Sequence, residues 1–263
     1  MGRRIDLNCD MGEGFGAYRI GDDLALLDHV TSANIACGFH AGDPSTMQRV
    51  VGAALAKGVR VGAHPGLPDL QGFGRRAMRV TPGEVYAMVV YQVGALSGFA
   101  RALGGALNHV KAHGALYNMA AKDPALADAI VGAVRDIDPK LMLFALAGSE
   151  MIRSAERAGI PFASEVFADR TYQNDGSLSP RDLPGSVIED IDAAMRQVRQ
   201  MVEKGTVRSL QGVDVPVRAD TLCIHGDQPG AVAFARKIRG DLTAIGVEVV
   251  APVLKQGPIS WNT

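Results

Sequence analysis

The chain has 263 residues, 47% of them hydrophobic and 21% charged, and its formal net charge is −1. This composition is typical of a globular protein with a sizeable core and argues against a disordered chain. The balanced charge argues against nucleic acid or an anionic membrane as the main partner, because both select basic patches.

The N-terminus, MGRRIDLNCD, carries two arginines with no apolar stretch behind them. We therefore expect neither a signal peptide nor a transmembrane segment there. The three cysteines, Cys9, Cys37 and Cys223, show no CxxC spacing. This predicts reduced, small core residues in a cytoplasmic protein.

Short β-rich runs alternate with helical runs along the whole chain. The predicted strands are 4–9, 32–37, 59–63, 107–112, 141–146, 161–167, 220–225 and 246–251. The predicted helices are 43–58, 81–104, one opening at Asp123, 149–159, 186–204 and 229–245. Such alternation predicts a parallel sheet with right-handed crossovers. At this length we favour an α/β fold with a closed or nearly closed TIM-like barrel of seven or eight parallel strands, with an open doubly wound sheet as the alternative.

The chain shows no linker and no internal repeat, so we expect a single domain over residues 1–263. The stretch TVRSLQGVDVPVRAD (206–220) predicts a hairpin inserted before a strand. It could be a lid, a partner contact, or a segment without a function of its own.

The first strand alternates apolar and polar residues. Ile5 and Cys9 share one parity and face the helices, whereas Asp6, Asn8 and Asp10 face the barrel interior. A structural barrel fills its interior with aliphatic side chains, and burying an unpaired charge costs several kcal/mol. We therefore predict that these three residues line a deep polar pocket.

Other strands deliver polar side chains to the same side. These residues are Asn34, His40, His64, His109, Lys111, His113, Glu165, Asp169, His225 and Asp227. Most lie at the carboxyl ends of strands, where (β/α) enzymes build their sites. For Asp6 and His109, near strand starts, we favour a satisfied structural network. We expect His29 to be a surface or packing residue.

Glycine-rich turns at 12–16, 37–43, 64–76, 112–118 and 169–181 flank the strand ends, and simple turn chemistry would also explain them. Arg75, Arg76, Arg170 and Lys111 could bind a carboxylate or a phosphate. The chain contains no GxxxxGK[ST] P-loop and no dinucleotide-binding fingerprint.

A metal site is left open by the sequence. Asp10, His40, His64 and His113 could hold a divalent cation, yet neither HxxxH nor HExxH is present. The same residues could equally serve as general acids and bases. Nucleophilic catalysis by Cys37 is disfavoured, and no GxSxG motif occurs.

Six blocks of the sequence resemble the LamB/YcsF family over about residues 4 to 254. They are IDLNCDMGEGFG, TSANIACGFHAGDP, GAHPGLPDLQGFGRR, VKAHGALYN, EVFADRTYQNDGSLSPR and CIHGD. The resemblance implies a distorted (β/α) barrel similar to the polysaccharide deacetylase superfamily. It also implies ATP-dependent opening of 5-oxoproline (pyroglutamate) to L-glutamate, an activity shared with 5-oxoprolinase subunits B and C.

On this interpretation we expect the catalytic residues to be Asp10, His40, His64, Lys111 and His113. Those expected to contact substrate are Asn8, Glu13, Arg75, Asn118, Glu165, Asp169, Arg170, His225 and Asp227. Asp10 or one of the three histidines would deprotonate water, and Lys111 and Arg170 would bind negative charge. His225 or Asp227 would protonate the ring nitrogen.

Two other functions are consistent with the same residues. The first is a metal-dependent deacetylase acting on an N-acetylated sugar, although the paired-histidine metal motif of that superfamily is missing. The second is a non-catalytic protein that binds a small acid or acts as a scaffold for its partners.

Overall fold

The computed structural model describes residues 2–181, 183–224, 226 and 230–252. The strands are β1 (Arg4–Met11), β2 (Ser32–Ala36), β3 (Arg60–His64), β4 (His109–Lys111), β5 (Met142–Leu146), β6 (Phe162–Phe167), β7 (Thr206–Arg208), β8 (Asp214–Pro216), β9 (Thr221–Ile224) and β10 (Glu248–Val249). The helices are α1 (Asp23–Leu26), α2 (Pro44–Ala56), α3 (Pro82–Ala102), α4 (Gly114–Ala120), α5 (Pro124–Ile137), α6 (Glu150–Ala158), α7 (Ile191–Lys204) and α8 (Ala231–Ala244).

Seven parallel strands close into a barrel in the order β1-β2-β3-β4-β5-β6-β9. Strand β9 pairs with β6 on one side and with β1 on the other, so the sheet has no open edge there. Strand β10 pairs only with the first residues of β1, through Arg4 and Ile5. The prediction of a barrel with seven or eight parallel strands is confirmed, and the alternative of an open sheet is wrong.

Local signals set where the long helices begin. The carboxylate of Asp43 accepts from the backbone N–H groups of Ser45 and Thr46 at the start of α2. Thr81 and Glu84 form a reciprocal capping box at the start of α3. Both helices begin at the residue after the cap, as these patterns predict.

Helix α4 corrects one expectation. The segment 112–118 was predicted to be a glycine-rich turn, but a helix begins at Gly114. Ala115, Leu116 and Ala120 are buried in the main core, and this packing outweighs the turn signal of a single glycine.

Part of the barrel interior is apolar. Met142, Phe144 and Ala163 form a cluster separate from the main core, and the His109 ring stacks on Phe144 with centroids 4.0 Å apart. Strand residues of the opposite parity, such as Leu143, pack in the main core. This apolar cluster shares the barrel interior with the buried polar groups of β1, β2 and β9.

The segment 206–220 contains an antiparallel hairpin formed by β7 and β8. Its turn contacts the loop after β6, because Leu210 N–H donates to the Tyr172 carbonyl oxygen at 2.8 Å and the Ser209 hydroxyl donates to Asn174 Oδ1 at 2.7 Å. No helix within the described residues is both long and apolar enough to cross a membrane.

Candidate active site

A cavity of about 660 Å³ opens at the carboxyl ends of the barrel strands. Eight residues that the sequence assigned to the site line it: Asp10, Glu13, His64, Arg75, Lys111, His113, Asn118 and Arg170. They come from the ends of β1, β3, β4 and β6 and from the segments that follow these strands. Alternation along the strands thus directs ionisable groups from separate strands into one cavity.

Other predicted residues do not line the cavity. Asn8 and Glu165 are fully buried and lie outside the lining, so their expected contact with substrate stays a prediction. His40 and Asp169 are also buried and lie outside the lining. Asp6 is buried deeper still, so of the three inward residues of β1 only Asp10 reaches the pocket. His225 and Asp227 lie outside the described residues.

Lys111 is the centre of the polar network under the floor. Its Nζ atom lies 2.9 Å from Asp10 Oδ1, 2.8 Å from Glu165 Oε1, 3.3 Å from Asn8 Oδ1 and 3.1 Å from Cys223 Sγ. Burial opposes the charge, but Asp10 and the other anionic neighbours outweigh it and raise the pKa of Lys111 well above its usual value. Its three N–H groups are therefore directed at protein acceptors rather than at the cavity.

Both carboxylate oxygens of Glu165 accept hydrogen bonds. Its Oε1 accepts from Asn8 Nδ2 at 3.0 Å as well as from Lys111, and its Oε2 accepts from the Tyr117 hydroxyl at 2.7 Å. Burial, followed by the charge of Glu165, raises the pKa of Tyr117 well above its usual value. Tyr117 is thus a neutral donor that the sequence analysis missed, because the segment that carries it was assigned to a turn.

Asp10 and Glu13 both bring carboxylates to the cavity, and Asp10 is the one that contacts Lys111. Its Oδ1 accepts from Lys111 and from Asn34 Nδ2 at 2.8 Å, and its Oδ2 lies 3.3 Å from His64 Nε2. The side chain retains 13% exposure, whereas that of Lys111 retains 3%. A carboxylate that is oriented by a cation and an amide at one oxygen can accept a proton at the other.

Three histidines pack together beside Asp10. His64 Nε2 lies 3.0 Å from His113 Nδ1, and the rings of His40 and His113 stack with centroids 3.7 Å apart. Burial, reinforced by His64, lowers the pKa of His113 to about 3. Burial also lowers the pKa of His40 well below its usual value, with His113 and His64 adding to the effect. His40 and His113 are therefore neutral at physiological pH.

Glu13 completes this cluster. Its Oε1 lies 3.6 Å from His113 Nδ1 and 3.9 Å from His40 Nε2. One ligand atom from each of Glu13, His40, His64 and His113 lies within 4.8 Å of the others, so the buried cluster could bind a metal ion. The sequence analysis had named Asp10 rather than Glu13 for such a set, since spacing alone does not show which acid approaches the imidazoles.

The mouth of the cavity is cationic. Arg75, Lys122, Arg170 and Arg181 line it, and the sequence analysis did not single out Lys122 or Arg181. Arg170 is buried, and it donates to the carbonyl oxygens of Ser179 at 2.5 Å and Ser186 at 3.3 Å. Burial lowers the pKa of Arg170 to about 10. Arg170 therefore holds the loop after β6 in place at the edge of the cavity.

Arg76 does not take part in the site. Its Nε atom lies 3.0 Å from Asp69 Oδ2, and it does not line the cavity. A neighbouring carboxylate thus binds the Arg76 guanidinium, and anion binding by Arg76 stays a prediction.

Asp6 and the groups around it form a structural network. Its carboxylate accepts from the hydroxyls of Thr31 at 2.6 Å, Ser32 at 2.7 Å and Thr221 at 2.5 Å. Burial outweighs these hydrogen bonds and raises the pKa of Asp6 to about 6. His109 Nε2 lies 2.7 Å from Asn34 Oδ1. These contacts agree with the structural interpretation favoured for both residues.

The cysteines Cys9, Cys37 and Cys223 are free and buried. Burial raises the pKa of Cys37 to about 12, so this thiol stays protonated at neutral pH. Because the thiolate is the nucleophilic form, Cys37 is poorly suited to nucleophilic catalysis.

Comparison with known proteins agrees with this arrangement. The chain is 60% identical over 248 residues to the A subunit of 5-oxoprolinase from Bacillus subtilis (strain 168), and the match covers 94% of this chain and 96% of that protein. A crystal structure of a lactam utilization protein from Thermus thermophilus has a TM-score of 0.89 at 50% identity, covering 94% of this chain and 99% of that one.

A more distant neighbour is a family 4 carbohydrate esterase from Streptomyces lividans, with a TM-score of 0.52 at 11% identity and coverage of 97% and 95%. This likeness shows a shared fold alone and confirms the expected similarity to deacetylase-like barrels. The model of the LamB/YcsF family matches residues 5–256. With that match and a relative of 60% identity over nearly the whole chain, the protein belongs to the LamB/YcsF family.

Proposed function

We propose that this protein is the A component of a 5-oxoprolinase that, with subunits B and C, opens 5-oxoproline to L-glutamate and hydrolyses ATP. The observation that carries the proposal is the 60% identity to the A component of a known 5-oxoprolinase across 96% of that protein. Three free, buried cysteines support a cytoplasmic location.

The charges of the cavity suit this substrate. 5-Oxoproline carries one carboxylate, and a phosphorylated form would carry more negative charge. Arg75, Lys122 and Arg181 at the mouth offer cations to such groups. Asp10 lies at the floor, where it can reach the reacting carbon of a substrate held by its anion. A volume of about 660 Å³ accommodates a small acid with a phosphoryl group.

The proposed reaction has three steps. The γ-phosphoryl group of ATP is transferred to the lactam oxygen, the nitrogen loses its proton, and ADP leaves. Water then adds to the ring carbon, and the C–N bond breaks with its electron pair and a proton going to nitrogen. The resulting acyl phosphate reacts with a second water to give glutamate and phosphate. The sequence has no P-loop, which agrees with nucleotide binding mainly by the partner subunits.

Asp10 is the group that we assign to deprotonating the attacking water. Lys111 positions Asp10 through the contact at 2.9 Å. General-base catalysis of this kind contributes roughly 10²–10⁴ in rate. His113 lies within the same wall of the cavity and assists in placing the water.

Substitution in the reconstituted three-subunit system tests the assignment. Asp10→Asn and His113→Ala should each lower kcat at least about 100-fold, while His29→Ala, which does not line the cavity, serves as the matched control. Glutamate and phosphate are measured together, and co-purification with B and C checks assembly. Near wild-type turnover in both site variants would contradict the assignment.

A further inference from the structure

We propose that Glu13, His40, His64 and His113 form a binding site for one divalent transition-metal ion of the zinc type. The proposal concerns what these side chains bind and does not depend on the identity of the substrate. Glu13, His64 and His113 line the cavity, so an ion can enter from it, and His40 lies directly behind them.

The tautomers of two histidines are set by backbone carbonyls. His64 Nδ1 lies 2.7 Å from the carbonyl oxygen of Lys111, and His113 Nε2 lies 2.8 Å from that of Phe73. A carbonyl oxygen only accepts, so each of these ring nitrogens carries a proton. In the neutral rings, His64 Nε2 and His113 Nδ1 are therefore both unprotonated.

These two unprotonated nitrogens face each other at 3.0 Å. Two lone pairs at this distance repel, and a cation between or beside them removes the repulsion. Histidines that bind metals usually donate their other ring N–H to a carbonyl or a carboxylate, which orients the ring and raises its basicity. His64 and His113 both have this second contact.

His40 supplies an independent observation. It is fully buried, and neither of its ring nitrogens has a hydrogen-bond partner among the described residues. Such groups are rare because burial without a partner is unfavourable. A tilt of the ring out of its stack on His113 would direct Nε2 towards the ion. A Cβ at Gly66 would lie 2.5 Å from His40 Nδ1, so only glycine there leaves space for this ring.

Three imidazoles and one carboxylate select the kind of metal. Nitrogen donors suit zinc and its neighbours, whereas magnesium and calcium prefer oxygen donors. Donors at 2.0–2.2 Å from a tetrahedral ion lie about 3.3–3.6 Å from one another. Three distances within the cluster, 3.0 Å, 3.6 Å and 3.9 Å, bracket this range, and all of the ligand atoms lie within 4.8 Å of one another, so ligation requires the more distant side chains to move closer.

A shared proton is the competing explanation. If His64 were an imidazolium, its Nε2–H would donate a hydrogen bond shared between His113 Nδ1 at 3.0 Å and Asp10 Oδ2 at 3.3 Å. That arrangement leaves His40 without a partner. It also predicts no bound metal, so the two explanations differ in a direct measurement.

The experiment uses the full chain purified without chelators. Elemental analysis should find about one equivalent of zinc, and Co²⁺ added to the metal-free protein should give the intense visible bands of tetrahedral coordination. Glu13→Gln and His40→Gln should each weaken Zn²⁺ binding at least about 10-fold, the loss that even an outer contact of a metal site produces. His29→Gln is the control and should bind as the unaltered protein does.

Several results would overturn the proposal. The first is that the protein holds no zinc and also gives no tetrahedral Co²⁺ spectrum. The second is that Glu13→Gln, His40→Gln and the control bind Zn²⁺ with equal affinity. Nitrogen NMR that shows a protonated His64 Nε2 in zinc-loaded protein would also overturn it. Circular dichroism checks that the variants fold, and the Co²⁺ spectrum needs no variant. The metal measurements do not depend on turnover. A negative result would therefore leave the proposed 5-oxoprolinase activity untouched.

Discussion

Lys111 Nζ donates to Asp10 Oδ1 over 2.9 Å, and this ion pair joins two strands that are not neighbours in the sheet. Asp10 lies one residue before the end of β1 and Lys111 ends β4, with β2 and β3 between these strands. The contact therefore crosses the barrel interior. Closure of the sheet is what allows a buried ammonium on one side to orient the carboxylate at the cavity floor.

Removing that ammonium should cost stability. Lys111→Met leaves Asp10 and the fully buried Glu165 without their cation, and breaking a buried pair in this way typically costs about 3–5 kcal/mol. Urea unfolding measures the loss. The double variant Lys111→Met with Glu165→Gln should recover part of it, because only one carboxylate then remains unpaired. A loss below about 1 kcal/mol in the single variant would show that the charges are not coupled.

The free energy of unfolding should vary with pH in part through the titration of Asp6. Its pKa is about 6 in the folded protein against 3.8 for the free group, so the folded state binds this proton more tightly. The resulting stabilisation is complete below pH 4 and is lost as the pH rises through 6, at a cost of about 3 kcal/mol. The stability of Asp6→Asn relative to the unaltered chain should therefore rise between pH 4 and pH 7.

The control for this prediction has the opposite sign. Asp28 is paired with Lys57 at 2.6 Å, which lowers the pKa of Asp28, so its contribution is lost as the pH falls. Chemical unfolding at several pH values gives both trends. A difference between Asp6→Asn and the unaltered chain that does not vary with pH would contradict the prediction.

Arg75 should contribute to binding of the substrate anion at the cavity mouth. Arg75→Met keeps the apolar stem and removes a charged donor, which should raise KM for 5-oxoproline about 10-fold or more and change kcat less. Steady-state kinetics of the three-subunit enzyme measures this. Arg79→Met is the matched control, because Arg79 is exposed and does not line the cavity. Equal KM values for the two variants would remove Arg75 from the site.

Gly62 should not tolerate a side chain. A Cβ at this position in β3 would lie 2.0 Å from His109 Nε2, so Gly62→Ala displaces a buried ring and should cost about 1–3 kcal/mol. Gly98 in α3 has nothing within 4 Å of its added Cβ, and Gly98→Ala should stabilise by about 0.5–1 kcal/mol. Thermal unfolding compares the two. A lower melting temperature for Gly98→Ala than for Gly62→Ala would contradict the packing argument.

Much of the architecture follows from local patterns. The N-cap at Asp43 and the capping box at Thr81 each involve residues within one helical turn of each other. Both helices begin where these patterns predict. Strand parity is equally local, and it placed Asp10 and His113 on the inner side. The same alternation, applied to β9, would also have identified Thr221 and Cys223 as interior residues that contact the polar network.

By itself, the sequence determined most of the strands and helices, though not α4, and which side of the first strand is polar, because these properties depend on neighbours a few positions apart. Only the tertiary structure decided how deep each inward residue lies. Asn8 pairs with Ser32 and Cys223 in the closed sheet and is sealed off, whereas Asp10, two residues later, reaches the cavity. The depth of a side chain in the barrel depends on the register between strands that are distant in the chain. The distance between Glu13 and the imidazoles depends on the same register.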